Sequence, residues 1–237
     1  MSGTIYNHDC GMYGDIKIFA GTGCPDLADE VACYLEMPLS DHTLTHIATD
    51  PLWSQLNDSV RGQDVYISQS TSPPVHTNPM ELLIMLQTLR LDSAGRVTAV
   101  IPYLCYTRSD KKDKPRVPIT ARLVADMIEV AGADRYMTLD MHAGQIQGFF
   151  SIPGDVLSAF YILSNKIESM LPEMVDPVVV APDLGFAKKG RNFASRINAP
   201  IAFVEKRRAG EDDQTEALSL IGDVRDRDVI IVDDEVD

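Results

Sequence analysis

Cysteine is scarce in this chain. Cys10, Cys24, Cys33 and Cys105 form no CxxC pair and no metal-binding spacing. That excludes a disulfide scaffold or a cysteine-zinc module and reads as a reduced, intracellular protein, expected to be cytoplasmic. No apolar run approaches the ~20 residues a membrane-spanning helix needs, so no membrane partner is expected. The N-terminus, MSGTIYNHDCGMYGD, lacks the basic and apolar regions of a signal peptide. Basic residues are also in deficit: 21 Lys and Arg against 35 Asp and Glu give a net charge of −14. A surface with that balance repels a phosphate backbone, which argues against a nucleic-acid partner.

The few basic residues are concentrated, in RSDKKDKPR (108–116), KKGR (188–191) and KRR (206–208). Three short basic clusters on an acidic protein point to a small, highly charged ligand, although each one alone also reads as a solvated face. With 237 residues, 45% of them hydrophobic, the chain can bury a substantial core. Strand-like runs occur at Ile16–Ala20, Val65–Gln69, Val97–Pro102, Tyr136–Leu139, Val178–Ala181, Ile201–Val204 and Val229–Val232. Helical patterns fill Leu27–Leu35, Pro79–Leu91, Ile119–Ala131, Val156–Leu171 and Ala187–Ile197. This alternation predicts an α/β fold with mainly parallel sheets and helices on both faces.

The two ends of the chain echo each other. IKIFAGTG, a helix, LEMPL and SVRGQDVYISQS near the start correspond in order to VVVAPDLG, a helix, INAPI and DVRDRDVIIVDD. Several matches at nearly constant offset indicate a duplicated α/β domain. The first copy continues through a further helix and the strand TAVIPYL, whereas the second ends at the corresponding strand, so the second domain is expected to be incomplete. The boundary is expected near Gly154–Ser158, giving domains at 15–156 and 157–237.

Ligands of open α/β sheets bind beyond the carboxyl ends of the strands, and several charged segments fall there. Arg108-Ser-Asp-Lys-Lys-Asp-Lys-Pro-Arg116 follows a strand, where Arg can fork onto phosphate oxygens and Lys adds point charge. Asp140 and His142 close another strand and can share one metal or one phosphate. A single His is more often a hydrogen-bonded structural residue than a ligand, and the nearby Gln145 and Gln147 can serve simply to satisfy backbone groups. Pro182-Asp183-Leu-Gly185 leads into a helix N-terminus, a common turn that favours anions. Val204-Glu-Lys-Arg-Arg208 runs into a polar loop where Lys206 and Arg208 can neutralise a transferring phosphoryl group, or form a plain surface hairpin. Last comes VIIVDDEVD, a strand followed by Asp233, Asp234, Glu235 and Asp237. These acids can accept hydrogen bonds from adjacent sugar hydroxyls, directly or through a divalent ion, against the alternative of a solvated tail.

Taken together, SVRGQDVYI, NPMELLIM, RVTAVIPYLCYTRSDKKDKPRVPI, LVADMIEVAGADRY, LDMHAGQIQGFF and IIVDDEVD resemble the ribose-phosphate diphosphokinase (phosphoribosyl pyrophosphate synthetase) family from about Ile16 to Asp237. The resemblance implies two phosphoribosyltransferase-type domains and transfer of the diphosphoryl group of Mg2+-ATP to the 1-hydroxyl of ribose 5-phosphate. It implies ATP contacts from Arg108, Ser109, Asp110 and His142, and metal contacts from Asp140, His142, Asp155 and Asp183. Lys206 and Arg208 become the catalytic pair, and Asp233, Asp234 and Asp237 the start of a ribose 5-phosphate loop. A homo-oligomer, typically a hexamer, is also implied. The chain departs from the family at Ser109, where the family has Gln, and at Ser151, where it has Asp. In HTLTHIATDPLW the only acidic residue is Asp50. These changes leave a non-catalytic, regulatory homologue as the alternative. A phosphoribosyltransferase shares the acidic ribose loop, but the duplication and LDMHAGQIQGFF count against it.

Overall fold

The structure, a computed structural model, describes residues 12–46, 52–183, 185–208 and 215–235. The chain divides between Leu157 and Ser158 into two compact units. In the first, strands β1 (Ile16–Ala20), β4 (Asp64–Ser68), β5 (Arg96–Ile101), β6 (Arg135–Leu139) and β7 (Gly154–Leu157) form one parallel sheet in the order β1-β4-β5-β6-β7. Helices α1 (Pro25–Tyr34), α2 (Asn78–Leu91) and α3 (Thr120–Ala131) connect it.

Burial follows from strand geometry. Ile18 and Phe19 point to opposite sides of β1, and both are buried, as are Val97, Thr98 and Ala99 in β5. The sheet is therefore covered on both faces, which is what a parallel sheet of apolar strands requires. Leu82, Met85, Leu86 and Leu89 recur at helical spacing along α2 and join Phe19, Ile67, Val97 and Ile101 in the core. From α3, Val124, Ala125 and Ile128 complete it.

The second unit contains α4 (Phe160–Met170), β8 (Val178–Ala181), α5 (Ala187–Arg196), β9 (Ile201–Arg208), β10 (Thr215–Ile221) and β11 (Val229–Ile231). Its sheet order is β10-β9-β8-β11, with β8 parallel to both β9 and β11 and β10 antiparallel to β9. The repeat seen in the sequence has a topological counterpart. β1 pairs in parallel with β4 as β8 does with β11, and Leu39 bridges to Ile18 as Ile201 pairs with Val179.

Three features differ from the sequence expectation. His42–His46 and Leu52–Leu56 form an antiparallel hairpin, β2 and β3. Val156 was expected to begin a helix but lies in β7, because pairing with Thr138 of β6 extends the sheet by one short edge strand. The helix starts only at Phe160. Thr215–Ile221 carries good helix formers, Glu, Ala and Leu, yet it pairs with β9; a non-local ladder overrides local propensity here.

Candidate functional site

At the carboxyl edge of the first sheet, the loops after β5 and β6 lie side by side, because Ile101 and Thr138 are paired near the ends of these strands. The loop after β6 is pinned from below. Met141, Ile146 and Phe150 are buried, and the Phe150 ring stacks on Tyr136 with centroids 3.9 Å apart. Asp140 just before these anchors, and His142, Gln145 and Gln147 between them, are exposed. Asp140 has φ +39°, a left-handed conformation uncommon for a side chain with a Cβ, and its N–H donates to the Leu157 oxygen at 2.9 Å. The strand ladder thus fixes where the chain turns out of the sheet.

The loop after β5 is pinned in the same manner. Thr71 is buried; its hydroxyl donates to the Tyr103 oxygen and accepts from the Cys105 N–H, both at 2.7 Å. Arg108, Lys111, Lys112, Lys114 and Arg116 are exposed beyond it, a basic surface suited to phosphate oxygens. Two members of the loop are not presented in this way. Ser109 accepts the Thr120 N–H on its hydroxyl oxygen and the Ala121 N–H on its main-chain oxygen, both at 3.2 Å. It therefore satisfies the amino end of α3. Asp110 is buried and accepts a hydrogen bond on Oδ2 from Gln145 Nε2. Its carboxylate, expected as an ATP contact, faces the neighbouring loop.

Asp155, expected as a metal contact, stands apart from Asp140. It lies inside β7 opposite Met137, well short of the carboxyl edge where Asp140 stands, and pairs with Arg135 at 2.8 Å. Strand spacing of ~3.3 Å per residue keeps its carboxylate from joining Asp140 on one cation.

A second polar cluster supports the same edge and had no signal in the sequence beyond its glycines. Gly21, Thr22 and Gly23 leave β1 over two buried side chains. Gln69 Oε1 accepts the Gly23 N–H at 2.8 Å, and Glu81 accepts both the N–H and the hydroxyl of Thr22 at 2.6 Å. A Cβ on Gly21 would collide with Gln69 Oε1, so only glycine permits this approach.

In the second unit the acidic residues gather at the carboxyl ends of adjacent parallel strands. Asp183 follows β8 and accepts the Phe186 N–H on Oδ1 at 2.8 Å, closing the turn into α5. Asp233 and Asp234 follow β11, whose ladder extends through the Val232 N–H to the Val180 oxygen. Partial burial pushes the Asp233 carboxyl above the usual range, and the charges of Asp234 and Asp183 add to the effect. Such carboxylates form a hard oxygen set that fits Mg2+. Among the described residues no three Asp, Glu, His or Cys side chains converge on one point. A cation held here would therefore complete its shell with water and substrate oxygens. Lys206 and Arg208 contribute their backbone to β9, opposite Ala217 and Thr215. Asp237 lies outside the described residues, and no helix among them is long and apolar enough to cross a membrane.

Comparison with known proteins gives a consistent picture. Residues 16–132 match the family model for the N-terminal domain of ribose phosphate pyrophosphokinase. The chain is 47% identical over 224 residues to the ribose-phosphate pyrophosphokinase of Clostridium perfringens, covering 94% of this chain and 70% of that protein. It is 43% identical over 221 residues to the same enzyme of Wolinella succinogenes, with 93% and 71% covered. The crystal structure of phosphoribosylpyrophosphate synthetase from Mycobacterium smegmatis superposes with a TM-score of 0.84 at 37% identity, covering 93% of this chain and 71% of that one. With its parallel sheets, its basic edge in one unit and its acidic edge in the other, the chain belongs to the ribose-phosphate pyrophosphokinase family of diphosphate-transferring enzymes.

Proposed function

We propose that this protein transfers the diphosphoryl group of ATP to the 1-hydroxyl of ribose 5-phosphate, yielding phosphoribosyl pyrophosphate and AMP for nucleotide biosynthesis. The observation that carries this reading is the division of charge. The first unit's sheet edge exposes Arg108 and the basic loop after it, whereas the second unit's edge gathers Asp183, Asp233 and Asp234.

On this reading the first unit is the ATP side, with Arg108 and His142 contacting the nucleotide. The second unit is the ribose 5-phosphate side. Asp233 and Asp234, with Asp237 beyond them, accept hydrogen bonds from the sugar hydroxyls. The 1-hydroxyl oxygen attacks the β-phosphorus and releases its proton to solvent, while the bond from that phosphorus to the oxygen bridging it to the α-phosphorus breaks and AMP leaves with that oxygen. Lys206 and Arg208 neutralise the charge that develops on the transferring group, in a reaction governed by positioning and electrostatics. Mg2+, the metal we assign, would be held by Asp140 and His142 in the first unit and, as a separate ion, by Asp183 in the second, and would supply charge neutralisation on the phosphate oxygens. Assembly into a homo-oligomer, a hexamer by resemblance, belongs to the same proposal.

The test is direct: incubate the full chain with ATP, Mg2+ and ribose 5-phosphate and follow AMP release. AMP formed only with all three supports the reading. A folded protein that releases none refutes it and favours the non-catalytic homologue, a reading supported by Ser109, whose hydroxyl oxygen serves α3. Pyrophosphate-dependent cleavage of a nucleotide would instead indicate a phosphoribosyltransferase.

A further inference from the structure

We infer that Asp110 is a positioning residue, one that locks the loop carrying Arg108 to the loop carrying His142 through Gln145. The inference rests on the reading of these loops as the ATP side, and it gives Asp110 a different task from contact with the nucleotide.

Asp110 stands in a run of exposed charges yet is only 7% exposed, while Arg108, Lys111, Lys112 and Asp113 face solvent. A carboxylate turned inward amid solvated neighbours needs a compensating donor, and Gln145 Nε2 supplies it. The two partners belong to loops that leave adjacent strands, β5 and β6, and are separated by 35 residues in sequence.

Both ends of the link are anchored. Gln145 precedes Ile146, which is fully buried, and Asp110 follows Ser109, which is tied to the first turn of α3. Thr107, on the other side of Arg108, is itself 5% exposed. The bond therefore joins two rigid supports rather than two loose side chains. Beside it stands the working surface: Arg108 two residues before Asp110, and His142 three residues before Gln145. A functional group held by a satisfied, partly buried polar link loses less freedom when ligand binds.

The geometry distinguishes this role from direct contact. A hydrogen bond between a carboxylate and an amide can be reversed by exchanging donor and acceptor. Q145E places a carboxylate against a carboxylate and opens the link. Adding D110N restores it, because the amide is then on the β5 loop and donates to the carboxylate introduced on the β6 loop.

The experiment is a double-mutant cycle on the full chain, measuring kcat, the KM for ATP and the unfolding midpoint of each variant. We expect Q145E to remain folded at the assay temperature and to lose about 10- to 100-fold in kcat/KM for ATP. The double variant D110N/Q145E should recover about tenfold of that loss, and its unfolding midpoint should exceed that predicted from the two single variants added together. If Asp110 instead touches ATP or its cation, D110N adds its own loss and the double variant falls below Q145E, which overturns the proposal. Equal losses that simply multiply, with no coupling in the unfolding midpoint, overturn it as well. The unfolding cycle reads the link whether or not the protein turns over ATP. A silent parent in the AMP assay thus refutes the proposed function, while coupling or its absence still decides the role of Asp110.

Discussion

Glu81 holds Thr22 with both carboxylate oxygens: Oε1 accepts the Thr22 N–H and Oε2 accepts the Thr22 hydroxyl, each at 2.6 Å. The carboxylate is 1% exposed, and 59 residues of chain separate the partners. A helix residue of α2 thereby fixes the turn that follows β1. Replacing it removes two charge-assisted hydrogen bonds and leaves the Thr22 N–H and hydroxyl without their carboxylate acceptor. Glu81→Ala should destabilise the protein by about 3 kcal/mol or more, measured by urea unfolding. Glu81→Gln retains one acceptor oxygen and should cost less. An Ala variant as stable as the parent would show that the Thr22 turn does not depend on this carboxylate.

Ser109 is the departure from the family pattern for which the structure offers a local reason. Its oxygen receives the Thr120 N–H at the start of α3. Ser109→Ala should therefore lower stability by about 1 kcal/mol, as loss of a helix cap does. Asn, which carries a short side-chain acceptor, should restore much of it. Thermal unfolding of the three proteins compares them directly; an Ala variant with an unchanged midpoint would refute the capping role.

His42 provides a pH test. It lies on β2 with its ring edge-to-face against Phe19, centroids 5.8 Å apart, and burial lowers its pKa despite the opposing effects of the Ser40 backbone, Asp41 and Glu81. The folded protein then binds a proton less readily than the unfolded chain. The stability from the neutral ring is fully present above the ordinary histidine value near 6.5 and is lost as pH falls through the lowered value. His42→Phe, which keeps an aromatic edge but cannot ionise, should show a flatter dependence of unfolding free energy on pH over that range. Parallel curves for the two proteins would exclude this contribution.

Lys206 tests the proposed chemistry itself. If its charge acts chiefly when charge builds on the transferring group, Lys206→Ala should reduce kcat by about 100-fold or more while the affinity for ATP changes little. Single-turnover rates and nucleotide titration separate the two quantities. Equal losses in both would assign Lys206 to ground-state binding.

Much of the fold was legible in the residues. Val178–Ala181 and Ile16–Ala20 form strands with those same bounds; the first is an uninterrupted apolar run buried along its length, as a central parallel strand requires, and the second buries Ile18 and Phe19. The order of segments also placed Asp140, Asp183 and Asp233 at strand ends, each within two residues of its strand, and Arg108 in the loop that follows β5. β7 and β10 were not legible. Gly154–Leu157 is short, and Thr215–Ile221 suits a helix locally; each becomes a strand through a partner outside its own segment.

The site divides in the same way. Asp110 and Arg108 are near neighbours of one charged run, and composition treats them alike. In the structure Arg108 is exposed while Asp110 turns inward to Gln145. Asp155 has the right chemistry for a cation, yet its register opposite Met137 places it mid-strand with Arg135. Periodicity and the internal repeat depend on neighbours along the chain, so the sequence alone determined the α/β class, the duplication and the strand ends where chemistry gathers. Which polar groups turn inward, as Glu81, Gln69 and Asp110 do, depends on whether a donor far along the chain arrives to offset their desolvation. Only the tertiary structure supplies that donor, and so only it decided which charged residues turn inward and which stay exposed at the strand ends.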